Sequence, residues 1–309
     1  MGSSPLTRDV LMIIIRKLNK KFGKLHAVKD VDIHVKKGEI HGLVGPEACG
    51  KSTILQILST LIRPDSGDVT INNIRLDNGT QIRKIIGFVP KNPQFPLEYT
   101  ARGLVTFIAS LHSVHDRNII RDILKQTGLD AVADQTLDRY SQTLKKNLAF
   151  AVALVHDPEI LLLDEPFAGL EPVSQKRLKE FLPSSKKTII MAAQDLTTVE
   201  GICDSITVLR NGSVIVEDKM ATLRQRIGKG ALEIKLSDIS STQRLLFELE
   251  KIGVKTAVSG EAVYVHFNND SQVPNIIRIA AGVSDIMEAK PVKISIDDIY
   301  TRFLGDGNT

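Results

Sequence analysis

Apolar positions along the chain follow two periods, and the change from one to the other outlines its organisation. Met12–Arg16 and Val31–Val35 are β-branched runs, the second alternating with polar residues, which predicts strands near an edge of an antiparallel sheet. Between them Asn19–Lys24 reads as a polar turn carrying one aromatic, Phe22. Glu39–Val44 reads as a short buried strand, and Ile160–Leu163 is a continuous apolar run, the pattern of a strand buried on both faces. Shorter strands are predicted at Asp68–Asn72, Thr188–Ala192, Ser205–Leu209 and Val214–Glu217, the last two joined by an Asn211-Gly212 turn. Ile82–Val89 closes the segment that begins at Asp68. A helical period appears at Ile54–Leu58, across Ala101–Gly128 and at Leu144–Val155. A helical subdomain, about residues 98–156, therefore interrupts an α/β core.

The pattern lapses around Lys219–Gly230, where charges and glycines predict a linker over 221–230. A second pattern follows: strand Leu232–Leu236, helix Gln243–Ile252, strands Val254–Val258 and Val263–Phe267, helix Val273–Ala281, strand Ile286–Ala289 and helix Ile296–Phe303. The order β-α-β-β-α-β predicts a small ferredoxin-like α+β domain over 231–305, after a first domain over 10–220. No catalytic constellation falls in it.

Composition adds limits rather than a function. The 309 residues are 42% hydrophobic and 25% charged with a net charge of +4, ordinary values for a globular chain of about two domains. Basic residues are not interleaved with aromatics and there is no tryptophan, so nucleic acid is not expected as a partner. Lys145-Lys146 reads as a solvated face. No apolar run approaches the ~18 residues of a membrane span, so a membrane role would come through a partner. The two cysteines, Cys49 and Cys203, make no disulfide framework, and the seven histidines show no metal-binding spacing.

The chemistry is concentrated in Gly45-Pro46-Glu47-Ala48-Cys49-Gly50-Lys51-Ser52-Thr53, which matches G-x-x-x-x-G-K-[ST] between a predicted strand and a predicted helix. Glycines let main-chain N–H groups close on phosphate oxygens. Lys51 brings a point charge to them, Ser52 brings a hydroxyl to Mg²⁺, and the helix turns its positive end to the same anion. The apolar strand Ile160–Leu163 ends in Asp164 and Glu165, where an α/β sheet presents ligand chemistry. Asp164 is placed to hold Mg²⁺ and Glu165 to polarise an attacking water. Phe22 offers a face for a purine base. Cys49, inside the loop, reads as a small packing residue whose alkylation would block nucleotide.

With these motifs in order, residues 12–219 resemble the ATP-binding subunit of ABC transporters. The remainder, ending Ser295–Gly305, is similar to the extra domain of ATPase subunits in drug, sodium and gliding-motility exporters. The resemblance implies a P-loop ABC-type ATPase fold, ATP and Mg²⁺ as ligands, a head-to-tail dimer with a second ATP-binding subunit, and membrane permease partners at the cytoplasmic face. It implies that Phe22 stacks on adenine, Glu165 is the catalytic glutamate and Ala168–Glu171 crosses to the partner subunit. Three family elements are altered. Lys91 stands in place of the Q-loop glutamine, where an ammonium would repel the metal or pair with phosphate. Tyr140-Ser141-Gln142-Thr143-Leu144 stands in place of L-S-G-G-Q, keeping Ser141 and losing both glycines. Gln194 stands in place of the switch histidine and cannot exchange a proton near neutral pH. Ala48 replaces a loop glycine, a milder departure because the core motif leaves that position free. The expectation is an exporter subunit that binds ATP and hydrolyses it weakly or asymmetrically. A non-catalytic regulatory subunit paired with a motif-complete ATPase, and a soluble ATPase acting on nucleic acid or ribosomes, stay open beside it.

Overall fold

Alternation builds the first two strands. β1 (Leu11–Phe22) and β2 (Leu25–Lys36) pair antiparallel, with Ile13, Ile15 and Leu18 of one and Val31, Ile33 and Val35 of the other buried. The computed structural model describes residues 10–227, 230–267 and 269–292. In it both strands run past the expected ends, and the polar turn shrinks to Gly23-Lys24, with Gly23 at φ +57. The distal ribbon keeps its ladder, Lys20 opposite Val28 and Lys21 opposite His26, while Lys21–Leu25 are exposed, so no alternation marked it. β2 is the edge strand and β1 lies next to it, near the edge as expected, with a later strand covering its other side.

β3 (Ile40–Val44) leads through the phosphate loop into α1 (Lys51–Leu58). β4 (Ser66–Ile71) and β5 (Ile74–Arg75) complete a four-stranded sheet in the order β2-β1-β4-β5. The segment expected to close this unit divides instead. Asn78 caps α2 (Gly79–Ile85) by accepting the Gln81 N–H, and only Ile86–Val89 is extended, as β6 in a different sheet.

Three helices follow: α3 (Ala101–Leu111), α4 (Arg117–Gln126) and α5 (Gln142–Leu154). They close around Leu104, Val105, Ile123, Leu124 and Leu148, a core of their own. The chain then forms β7 (Ile160–Asp164), α6 (Pro172–Ser184), β8 (Thr188–Ala193), α7 (Leu196–Val199), β9 (Ser205–Arg210) and β10 (Ser213–Lys219). The second sheet has the order β10-β9-β3-β8-β7-β6, and the pairs from β9 to β6 are parallel. That register brings the C-terminal ends of β3, β7 and β8 side by side, with Val44 opposite Ala193 and Asp164 opposite Ala192. The site grows from this row of strand ends.

The chain divides into two units between Glu217 and Asp218. Where a linker was expected, the second unit begins with α8 (Met220–Ile227), anchored by buried Met220 and Leu223. The elements β11 (Gly230–Leu236), α9 (Thr242–Glu250), β12 (Thr256–Ser259), β13 (Ala262–Phe267), α10 (Val273–Val283) and β14 (Ile286–Val292) follow in the expected order. Their sheet is antiparallel, in the order β12-β13-β11-β14, over a core that includes Leu232, Ile234, Leu245, Val265 and Ile276. The expected helix Ile296–Phe303 and the segment Ser295–Gly305 lie outside the described residues.

Candidate active site

Two backbone bonds to β8 fix the heart of the site. The Gly45 N–H donates to the Ala193 carbonyl (3.3 Å) and the Glu165 N–H to the Ala192 carbonyl (3.2 Å). Phosphate loop and acid are thus held by adjacent residues of one strand. A Cβ at Gly45 would collide with the Leu209 carbonyl oxygen and lie 2.6 Å from the Cys49 sulfur. Gly50 has φ +106 and would put a Cβ 2.5 Å from the Ala27 carbonyl oxygen. Both motif glycines are required by space, and Gly50 also by its backbone.

Ala48 corrects an expectation. It sits at φ +58, a left-handed conformation that an L side chain resists, so the position is not free. Ala48→Gly is expected to stabilise the fold by about 1 kcal/mol, read as a shift in denaturation midpoint at unchanged slope. An unchanged or lower midpoint would contradict it.

Lys51 is buried, and its ammonium donates to the Gly45 and Pro46 carbonyls (2.6 and 2.7 Å), holding the loop around a central cation. Next to it in α1, the Ser52 hydroxyl stands near enough to Asp164 to favour its charged form. Asp164 is 4% exposed and its Oδ1 is buried without a partner. Burial raises its pKa above the usual carboxylate range, against the opposing influence of the nearby Ser52 hydroxyl. A hydroxyl and a carboxylate with an orphaned buried oxygen fit a hard divalent cation, and a bound Mg²⁺ would supply the missing partner.

The altered positions meet at the acid. The Lys91 ammonium lies 2.9 Å from Glu47 Oε1 and 3.0 Å from Glu165 Oε1. Gln194 Nε2 donates to the same Glu47 oxygen (3.2 Å) and to both Glu165 oxygens (3.0 and 3.1 Å). An ammonium expected to face metal or phosphate instead bridges two carboxylates. The Glu47 contact, then the Glu165 contact, hold the Lys91 pKa above that of a free lysine, and Lys91 in turn holds the Glu47 carboxyl down. Glu165 itself stands at φ +45, a strained non-glycine conformation at the end of β7.

Lys146 is a site residue that the sequence reading missed. It is 2% exposed and donates to the Pro90 and Lys91 carbonyls (each 3.0 Å) and to the Asp164 carbonyl (3.3 Å). Burial lowers its pKa to about 8, against the charges of Asp164 and Glu165. The expected solvated face is wrong for this residue. Its spacing from Phe150 and Ala153, also buried on α5, was the available signal.

Other expected residues stand apart from this cluster. Ser141 caps α5 by accepting the Leu144 N–H (3.3 Å), with Gln142 exposed beside it. Thr143 Oγ1 donates to the Gly169 carbonyl (3.0 Å), and Gln175 Nε2 to the Leu170 carbonyl (2.9 Å), which fastens the Ala168–Glu171 loop. Phe22 is 47% exposed on the ribbon whose Ala27 abuts Gly50, with the Lys20 ammonium 5.4 Å from its ring centroid. Thr53 lies in the first turn of α1. Cys49 is buried at 2% exposure, which shields it from alkylation. Among the described residues no group of three or more His, Cys, Asp and Glu could hold a metal ion.

A parallel sheet whose first loop closes on a buried lysine, beside a strand-end acid pair, defines a P-loop nucleotide-binding ATPase domain. The model of the family described as ABC transporter matches residues 28–168. The bacitracin transport ATP-binding protein BcrA of Bacillus licheniformis is 28% identical over 94% of this chain and 96% of its own length. The Nod factor export ATP-binding protein I of Rhizobium sp. (strain N33) is 30% identical over 93% of this chain and 95% of its own. An ATP-binding cassette solved as a dimer in a post-hydrolysis state with ADP and Pi is 26% identical, with a TM-score of 0.60 over 68% of this chain and 99% of its own. The chain belongs to the ABC transporter family, as an ATP-binding cassette of the ATPase type.

Proposed function

We propose that this chain is the ATP-binding subunit of an ABC export complex that binds MgATP at a dimer interface and hydrolyses it weakly or asymmetrically. The observation that carries the reading is the Glu165 carboxylate, held by the Lys91 ammonium and the Gln194 amide at 3.0 Å each. A carboxylate whose oxygens already accept hydrogen bonds from an ammonium and an amide has fewer lone pairs free to orient an attacking water. Ser52 and Asp164 would hold Mg²⁺, which when bound neutralises phosphate charge. Lys51 orients the phosphates, Phe22 stacks on the base, and Ser141 faces the partner's nucleotide.

The partners of this reading are membrane permease subunits and a second ATP-binding subunit with intact motifs, at the cytoplasmic face of the membrane. The names of the bacitracin and Nod factor relatives support transport. Among the described residues no helix is long and apolar enough to cross a membrane, which fits a peripheral subunit. The second unit reads as a ferredoxin-like accessory module for interaction.

The purified chain alone should turn ATP over far more slowly than when it is assembled with a motif-complete partner, as measured by phosphate release. Ordinary transporter-subunit rates from the isolated chain would overturn the proposal. A purely regulatory subunit would add nothing to the partner's own rate.

A further inference from the structure

On the outer face of the β2-β1-β4-β5 sheet lies a groove of about 780 Å³ that the nucleotide chemistry does not use. Its floor alternates with the core: Ile13 and Ile15 point inward from β1, so Arg16 points outward. Arg75 stands across the strands opposite Thr70. Arg63 comes from the turn after α1 and Arg83 from α2. Four guanidiniums therefore line one groove, against the carboxylates of Asp68 and Asp77. Asp77 lies 3.6 Å from Arg75, with both side chains largely exposed. Among the described residues neither Arg16 nor Arg63 has an ion-pair partner, although Asp68 is the cross-strand neighbour of Arg16.

The groove is also built, not merely charged. Arg83 donates to the Thr60 hydroxyl (2.8 Å) and, more loosely, to that of Thr80 (3.5 Å), which fixes the plane of its guanidinium. A Cβ on Gly79 would lie 2.9 Å from Arg83 Nη1, so the missing side chain leaves the space this pair occupies. Thr60 makes its bond from φ +62, a conformation that strongly disfavours a β-branched residue. Strain of that kind persists where the surroundings hold it, and it clusters at binding sites.

We propose that this groove is an anion site that takes a phosphoryl group, with Arg83 as its fixed fork and Arg63 and Arg16 as closing charges. Planar guanidiniums match the oxygens of phosphate in pairs, and a groove of this volume admits a polyphosphate or a lipid headgroup. These two sources share the recognised chemistry and differ in how they reach it.

The test uses the full chain with its nucleotide site filled by Mg²⁺ and a non-hydrolysable ATP analogue. Tripolyphosphate is titrated calorimetrically, and vesicles of phosphatidylcholine with or without phosphatidylglycerol are used for flotation. Arg83→Gln and Arg63→Gln should each weaken binding roughly tenfold, the effect of losing a charged hydrogen bond. Lys176→Gln, at an exposed position of α6, should leave it unchanged. Thr60→Gly should move two readouts in opposite directions: Tm rises by a few degrees as strain is relieved, while anion affinity falls as Arg83 loses its anchor. Response to tripolyphosphate alone assigns a soluble ligand, and response to phosphatidylglycerol alone assigns a headgroup. No binding of either probe, or equal losses in Lys176→Gln and the groove variants, overturns the proposal.

Discussion

Replacing Lys91 by glutamine together with Gln194 by histidine should raise ATP turnover by at least about tenfold, part of the 10²–10⁴ that a positioned acid–base group contributes. In the wild-type chain Lys91 and Gln194 both hold Glu165, and both also reach Glu47 on the phosphate loop. The single change Lys91→Gln removes the ammonium but leaves an amide able to orient water. The single change Gln194→His restores a group that titrates near neutral pH. Because both wild-type side chains touch the same carboxylate, the two changes should not add independently. Adding Glu165→Gln to the double variant should abolish the gain while nucleotide binding persists. If the double variant stays within about twofold of wild type, the pairing at Glu165 is not what limits hydrolysis.

The second large effect is a loss of stability in acid. His41 is fully buried in β3; its Nδ1 lies 2.7 Å from Ser205 Oγ and its Nε2 2.9 Å from Thr207 Oγ1. Ser205 donates its hydroxyl proton to Glu39, so Nδ1 carries the imidazole proton and Nε2 accepts from Thr207. Desolvation lowers the His41 pKa to about 3, and burial lowers that of His156 to about 4. Folded values below the unfolded value of roughly 6.5 mean that the unfolded chain binds more protons in between. Stability is full above that unfolded value and falls as the pH drops toward 3. For His41 the integrated loss is on the order of 4–5 kcal/mol. His41→Gln should lower stability at neutral pH yet flatten its decline between about pH 6 and 4. Denaturant titrations that show the same acid slope in both proteins would refute this.

Sequence pattern revealed most of the frame because burial imposed it. The short strand β3 and the apolar run of β7 are enclosed on both faces, and the phosphate loop sits between strand and helix where its motif requires. What escaped was determined by surroundings rather than period. The outer ribbon of β1 and β2 has no buried face to print an alternation, and α8 was hidden among charges just before Gly228 and Gly230. Lys146 looked solvated because it follows another lysine, yet the carbonyls of Pro90 and Lys91 and that of Asp164 at the end of β7 accept its hydrogen bonds. Glu47 was legible as loop lining; its tie to Gln194, 147 positions away, is a product of the parallel register.

The hydrogen bond from Thr143 to the Gly169 carbonyl bears on how two sites in one dimer would communicate. In the head-to-tail pair proposed above, the start of α5 would face the partner's nucleotide, while the Ala168–Glu171 loop would lead from this chain's own acid toward the interface. The Thr143 hydroxyl fastens the first to the second, and glycine has no side chain with which to do so. A shift of the loop after hydrolysis at one nucleotide would pull directly on the cap of the other. In such a pair Thr143 would act as a crossbar, and the two nucleotides would report to each other through a single threonine.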